Sequence, residues 1–108
     1  MADVGTDLDR YAEPSLLIMV SLSEGPKHGY AIMEDAEALG RRPLGAGTLY
    51  AALARMERAG LIEPMPPDGS RRRPYRLTGA GAAALKAQLE SLRWLADTGL
   101  GRLDGVPG

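Results

Sequence analysis

Residues 47–81 read GTLYAALARMERAGLIEPMPPDGSRRRPYRLTGAG, and the period of the apolar residues changes inside that stretch. Its first part is helical. Leu49, Leu53 and Met56 share one face with Ala52 beside them, while Thr48, Ala51, Arg55 and Arg58 point elsewhere. The spacing predicts a helix over 46–59, with Gly60 just past its end. The run 61–65 is short and β-compatible, and Pro66-Pro67-Asp68-Gly69 carries strong turn chemistry. A second extended run covers 72–77, which predicts a hairpin with its tip at 66–70. Pro74 has no N–H for a ladder, so the strand is predicted to present an edge there.

Upstream, Pro14 suits the first position of a helix that starts near Glu13. Leu16, Leu17, Met19, Val20 and Leu22 cover most of its circumference, which predicts a central, buried helix ended by Gly25-Pro26. A second helix is predicted over 28–39, with Ile32, Met33, Ala36 and Leu39 on one stripe and Gly40 as its stop. Glu34, Asp35 and Glu37 decorate its other side as a solvated face. Downstream, Thr78 fits an N-cap for a last helix that runs to about Asp97. Leu85, Leu89, Leu92 and Ala96 form one stripe of it, and Ala80, Ala83, Ala87 and Trp94 form another on the opposite side. Two apolar stripes need two surfaces, and a second copy of the chain supplies the missing one most simply.

The order is helix, helix, helix, hairpin, long helix. It predicts a mainly α chain with a small β-hairpin: a winged helix-turn-helix plus one long C-terminal helix. The expected divisions are a disordered tail over 1–10, a DNA-binding domain over 11–78, a dimerisation helix over 79–98 and a flexible tail over 99–108. The chain has 108 residues and no cysteine, so disulfides, thiolate metal sites and cysteine nucleophiles are excluded. No apolar run is long enough for a membrane span, and the acidic start MADVGTDLDR lacks the order of a signal peptide. The expected location is the cytoplasm.

The formal net charge of −1 hides a segregation. Residues 1–40 carry two cations against eight carboxylates, a net of −6. Residues 41–76 carry eight arginines against three carboxylates, a net of +5, and the remainder is balanced. Arginine's planar fork makes paired hydrogen bonds to phosphate and to guanine. A basic island around a recognition helix and its wing points to duplex DNA.

HGYAI (28–32), GTLYAALARMERAGLI (47–62), RRPYRLTGAG (72–81) and the opening EPSLLIMVSLSEGPKHGY (13–30) together resemble the PadR family of transcriptional regulators. The likeness covers about residues 13–85. Two positions depart from the usual pattern: Ala51 stands where the family often has proline, and Pro74 where it often has an aromatic residue. The resemblance implies a short form in which a single C-terminal helix dimerises the chain. It also implies that His28 and Tyr30, at the start of the second helix, lie near the DNA backbone. Some members bind flat aromatic compounds between subunits, which makes Trp94 a candidate wall of an effector pocket.

On the third helix the expected DNA contacts are Gly47 and Thr48, small enough for close approach, with Tyr50 and Arg55. On the wing they are Arg71, Arg72 and Arg73, of which alternate strand residues face opposite ways. The expected dimer interface is Leu16, Ala83, Ala87, Leu89, Leu92 and Trp94. The sequence shows no nucleophile–base pair, metal cluster or phosphate-cradling loop, and the single histidine, His28, has no cysteine partner. No catalytic residue, metal or cofactor is expected. The reading is a homodimeric, sequence-specific regulator on a palindromic operator, a repressor released by a small aromatic molecule. The rival reading is a winged-helix protein-interaction module that does not touch DNA, and the basic island argues against it.

Overall fold

The computed structural model describes residues 13–67, 69 and 73–107. Its elements are α1 (Pro14–Leu22), α2 (Gly29–Gly40), α3 (Ala46–Arg58), β1 (Ile62–Pro64), β2 (Tyr75–Leu77) and α4 (Gly79–Leu103). Pro14 opens α1 after an extended Glu13, and Gly25, at φ 144°, lets the chain turn away afterwards. α1 packs on α2, α3, α4 and β2, so it is the central helix that its apolar circumference predicts. One core cluster gathers Ile18, Met19 and Leu22 of α1, Ile32 of α2, Leu49, Ala52, Leu53 and Met56 of α3, Ile62 of β1 and Leu85 of α4. Within α1 Ile18 and Ser21 lose all exposure, whereas Leu16, Leu17 and Val20 are half-buried.

α2 ends differently from the sequence expectation. Gly40 is its last helical residue, and the left-handed turn falls on Arg41 at φ 56°. The glycine serves packing: a Cβ at position 40 would lie 2.7 Å from a Leu17 methyl group on α1. The carboxylates of α2 also differ from a plain solvated face. Glu37 accepts the Leu44 N–H at 2.7 Å and so ties down the link to α3. Asp35 takes an ammonium from outside the helix, as follows.

Lys27, in the link between α1 and α2, donates from Nζ to the Ser21 carbonyl (2.8 Å), the Ser21 hydroxyl (3.0 Å), Glu24 (2.7 Å) and Asp35 (2.9 Å). Burial pulls the Lys27 ammonium down, but its hydrogen bonds to Glu24 and Asp35 outweigh that and leave it above the ordinary 10.5. The hydrogen bond from Lys27, then that from Ser21, holds the Asp35 carboxyl below its ordinary 3.8, against a smaller opposing effect of burial.

The wing is a two-stranded antiparallel sheet, with Ile62 opposite Leu77 and Pro64 opposite Tyr75. β2 begins at Tyr75, three residues later than the sequence predicts. Met65 N–H donates to the Pro74 carbonyl at 2.8 Å, but proline has no N–H to return. The strand edge is not bare either. On its far side Tyr75 exchanges both main-chain hydrogen bonds with Lys27, at 2.8 and 3.1 Å.

α4 is seated on the end of α3. Thr78 Oγ1 donates to the Gly60 carbonyl at 2.6 Å and accepts the Gly81 N–H at 3.0 Å. Gly81 is buried so closely on Leu61 that a Cβ there would overlap the Leu61 carbonyl oxygen. The helix then continues through Gly99 and Gly101 to Leu103, past the expected stop near Asp97. A glycine weakens a helix by about 1 kcal/mol but keeps its N–H, and the first proline comes only at Pro107.

Two outcomes follow. Gly81→Ala lowers the thermal midpoint, an expected loss of about 1–3 kcal/mol from forced displacement of Leu61, although alanine is the better helix former. Asp35, depressed in the folded state, stabilises the protein above the ordinary carboxylate range, and that contribution is lost as pH falls through its folded value. Asp35→Asn therefore shrinks the drop in melting temperature between about pH 6 and about pH 2.5. An unchanged drop contradicts the ion pair.

Candidate nucleic-acid interface

α3 divides cleanly. Leu49, Ala52, Leu53 and Met56 are buried, while Gly47, Thr48, Ala51, Ala54, Arg55 and Arg58 are exposed. Gly47, Ala51, Ala54 and Arg58 stand at i, i+4, i+7 and i+11, so the outer stripe is nearly without side chains until its arginine end. Such a stripe lets a backbone approach a groove closely. Thr48 and Arg55 flank it, and the sequence-predicted Gly47, Thr48 and Arg55 all lie on this open side.

Tyr50 sits on the other flank, half-exposed, with its ring over the start of α2. Gly29 is buried there because a Cβ would lie 2.8 Å from the Tyr50 hydroxyl and 3.2 Å from Cζ. His28 occupies the N-cap position in extended backbone and is half-buried; Tyr30, one turn edge further, is 56% exposed. The first amides of a helix have no partner within it and favour an anion. Gly29, Tyr50, Arg73 and Tyr75 line a recess of about 370 Å³ beside this helix start. The fold thus brings together α2's first turn, the flank of α3 and the base of the wing. Two tyrosines and an arginine line one recess, residue types whose donors suit phosphate oxygens.

Tyr75 is the residue that the sequence reading missed. No local pattern singled it out, because β2 starts only at Tyr75 and its place beside Tyr50 and Gly29 is set by tertiary packing. Burial, then the charges of Glu57 and Tyr50, raises the Tyr75 hydroxyl above its ordinary 10.0, so it stays a neutral donor near neutral pH. Arg73 is exposed but precedes β2, so strand alternation does not govern it; Arg71 and Arg72 lie outside the described residues. Arg76 belongs to the basic island by sequence, yet its Nε donates to Glu63 across the ladder at 2.6 Å.

The residues expected at a dimer interface fall on two faces of α4. Leu89 (41% exposed) and Leu92 (38%) continue the stripe of buried Leu85, whereas Ala83, Ala87 and Trp94 (67%) stand on the opposite side. Leu16 is half-buried against its own core. Trp94 lies on open surface. The apolar cleft beside α4, about 490 Å³, is lined instead by Leu77, Leu85 and Leu89 with Lys86, Glu90 and Arg93 among others. Among the described residues no cluster of metal-ligating side chains occurs, and no helix is long and apolar enough to cross a membrane.

Three helices, a paired wing and a bare-faced third helix define a winged-helix DNA-binding protein. Residues 18–87 match the model of the Transcriptional regulator PadR-like family, and the chain belongs to that family. Its members are transcription regulators, not enzymes; they bind DNA and typically dimerise. The chain is 38% identical over 88 residues to the transcriptional regulator Rv3488 of Mycobacterium tuberculosis, covering 80% of this chain and 81% of that one. It is 40% identical over 83 residues to an uncharacterized 37.1 kDa protein in transposon TN4556 of Streptomyces fradiae. That match takes in 77% of this chain but only 24% of the Streptomyces protein. A transcriptional regulator from Clostridium thermocellum superposes with a TM-score of 0.72 at 28% identity, covering 89% of this chain and 93% of that one. A PadR family regulator from Clostridium difficile gives 0.70 at 28% identity, with 83% and 97% covered.

Gly29→Ala tests the recess directly. The added methyl displaces the Tyr50 hydroxyl, and affinity for a DNA duplex falls about 3-fold to 10-fold with the melting temperature little changed, as read by fluorescence anisotropy and circular dichroism. Unchanged affinity would remove Tyr50 from the interface.

Proposed function

We propose that the protein acts as a homodimer on a palindromic operator, with the open face of α3 in the major groove. The recess bounded by Gly29, Tyr50, Arg73 and Tyr75 takes a backbone phosphate beside it. The observation that carries this reading is the side-chain-poor stripe Gly47–Ala51–Ala54 flanked by that recess. A protein-interaction surface would place apolar anchors there; this face offers small residues and arginines. His28 and Tyr30 border the same phosphate track from α2, and Thr48 and Arg55 supply contacts along the groove.

The dimer reading rests on α4. Past Leu85 its stripe runs off the domain through Leu89, Leu92, Ala96, Leu100 and Leu103, which stay largely exposed among the described residues. A fully buried leucine is worth about 1.5–3 kcal/mol, so a second α4 across that stripe gains several such increments. The same face on both copies makes a two-fold axis, and a two-fold axis asks for half-sites about one helical turn apart. Within this reading the protein is a cytoplasmic repressor. An aromatic compound stacking on Trp94 changes the distance between the two α3 helices and releases the operator.

The deciding experiment is selection of bound duplexes from a random pool, followed by electrophoretic shift at graded salt with sizing in solution. The expected results are a dimer, a palindromic site and an affinity that falls with salt by about 0.9 log units per log unit for each phosphate held. Leu92→Glu is expected to yield a monomer that binds a half-site weakly. No enrichment of any sequence, together with salt-insensitive association, would favour the protein-interaction reading.

A further inference from the structure

Lys27 stands outside every face so far assigned to DNA, yet it joins three elements. Its main chain forms both hydrogen bonds of a bridge with Tyr75 on the wing. Its ammonium is held by the end of α1, through Ser21 and Glu24, and by α2, through Asp35. Four acceptors surround an ammonium that has three N–H groups, and Ser21 has no exposed surface at all. The wing needs such an anchor. A two-stranded hairpin is marginal by itself, and Pro74 removes one ladder bond at its upper end. β1 is fixed through the turn that follows α3, but the outer edge of β2 is held at Lys27. Tyr75 and Arg73 both line the recess beside Tyr50, so a shift of residue 75 carries them with it.

We propose that Lys27 is a positioning residue for DNA binding: anchored on Ser21 and Asp35, it fixes the backbone at Tyr75 and so sets the wing and Arg73 against α2 and α3. The inference rests on the DNA-binding reading above. Two other roles for the residue are distinguishable. As a phosphate ligand Lys27 would have its ammonium facing solvent, whereas its side chain is 17% exposed and surrounded by carboxylates. As a simple stabiliser it would lower the melting temperature without affecting how much Arg73 contributes.

A double-mutant cycle separates these roles. Binding of a random-sequence duplex of about 30 base pairs is measured at graded salt for wild type, Arg73→Ala, Lys27→Met and the double variant. Arg73→Ala is expected to cost about 3-fold to 10-fold in the wild type and less than about 2-fold beside Lys27→Met, because the wing is no longer in place. Lys27→Met is also expected to flatten the salt dependence, since wing phosphates are lost with it. Equal cost of Arg73→Ala in both backgrounds overturns the proposal, whether Lys27 grips phosphate itself or only stabilises the fold. Should Lys27→Met not fold, Asp35→Asn, which removes the anchor instead, is carried through the same cycle. Hydrogen exchange gives a readout independent of DNA. The Tyr75 amide exchanges at least about 10-fold faster in Lys27→Met, while Leu53 in α3 is unchanged. Wild type that binds no duplex at low salt refutes the DNA-binding reading, while an unaltered Tyr75 amide refutes the anchor.

Discussion

The burial of one side of α3 is the constraint on which the remaining structure depends. A helix can present a face with almost no side chains to a ligand only if its other face holds it in place. Leu49, Ala52, Leu53 and Met56 do that, all buried in one cluster with Ile18 and Leu22 of α1. At about 1.5–3 kcal/mol for each large side chain, that side alone outweighs the helix-weakening effect of Gly47 by several-fold. α1 in turn must be apolar nearly all round, because α2, α3, α4 and β2 share it. The one buried polar side chain among these contacts, Ser21, is hydrogen-bonded by Lys27, which turns a liability in the core into a fixture for the wing.

The same economy of contacts ties the long helix α4 to α3. Thr78 reaches from the start of α4 to Gly60 at the end of α3, and its own N–H bonds Leu61. Gly81 closes the remaining gap on the Leu61 carbonyl. Between these points there is no flexible spacer, so a tilt of α4 is delivered to α3 as a tilt of nearly the same body. Any force applied to α4 would need this kind of joint to reach α3. A loose linker would absorb the motion, whereas two packed helices that share a cap transmit it.

The parts legible in the sequence are those set by local pattern. Period 3.6 found the buried face of α3, end-position chemistry found the Pro14 start and the Thr78 cap, and the shift toward short extended runs around a turn found the wing. The parts that were not legible depend on a neighbour distant in sequence. Gly40 looks like a helix stop, yet its role is to admit Leu17, and Arg41 takes the left-handed turn. Asp35 and Glu37 look like solvent-facing charge, but Lys27 and the Leu44 amide claim them. Pro74 suggests an open edge, and only the path of the chain after α1 reveals that Lys27 covers it. The end of α4 was misplaced for a different reason: Gly99 and Gly101 weaken a helix without forbidding it. At the site, the positions on α3 were legible, because burial on one side dictates exposure on the other. Tyr75 was not, because its value comes from where β2 leaves it relative to Tyr50 and Gly29.

Charge shows most clearly how tertiary pairing edits a sequence count. The middle third of the chain carries a formal +5, but Arg76 is spent on Glu63 inside the wing. The acidic first third is edited as well, since Asp35 and Glu24 are taken up by Lys27 and Glu37 by a backbone amide. What stays at the surface near α3 is mostly arginine: Arg41 and Arg42 in the link before it, Arg55 and Arg58 along it, and Arg73 at the wing, against Glu57 on the helix itself. Exposed charges more than about 10 Å apart are largely screened at ordinary salt, so a polyanion meets this local set and not the chain's net −1. A nearly neutral protein can therefore hold a strongly charged ligand, provided its carboxylates are engaged elsewhere in the fold.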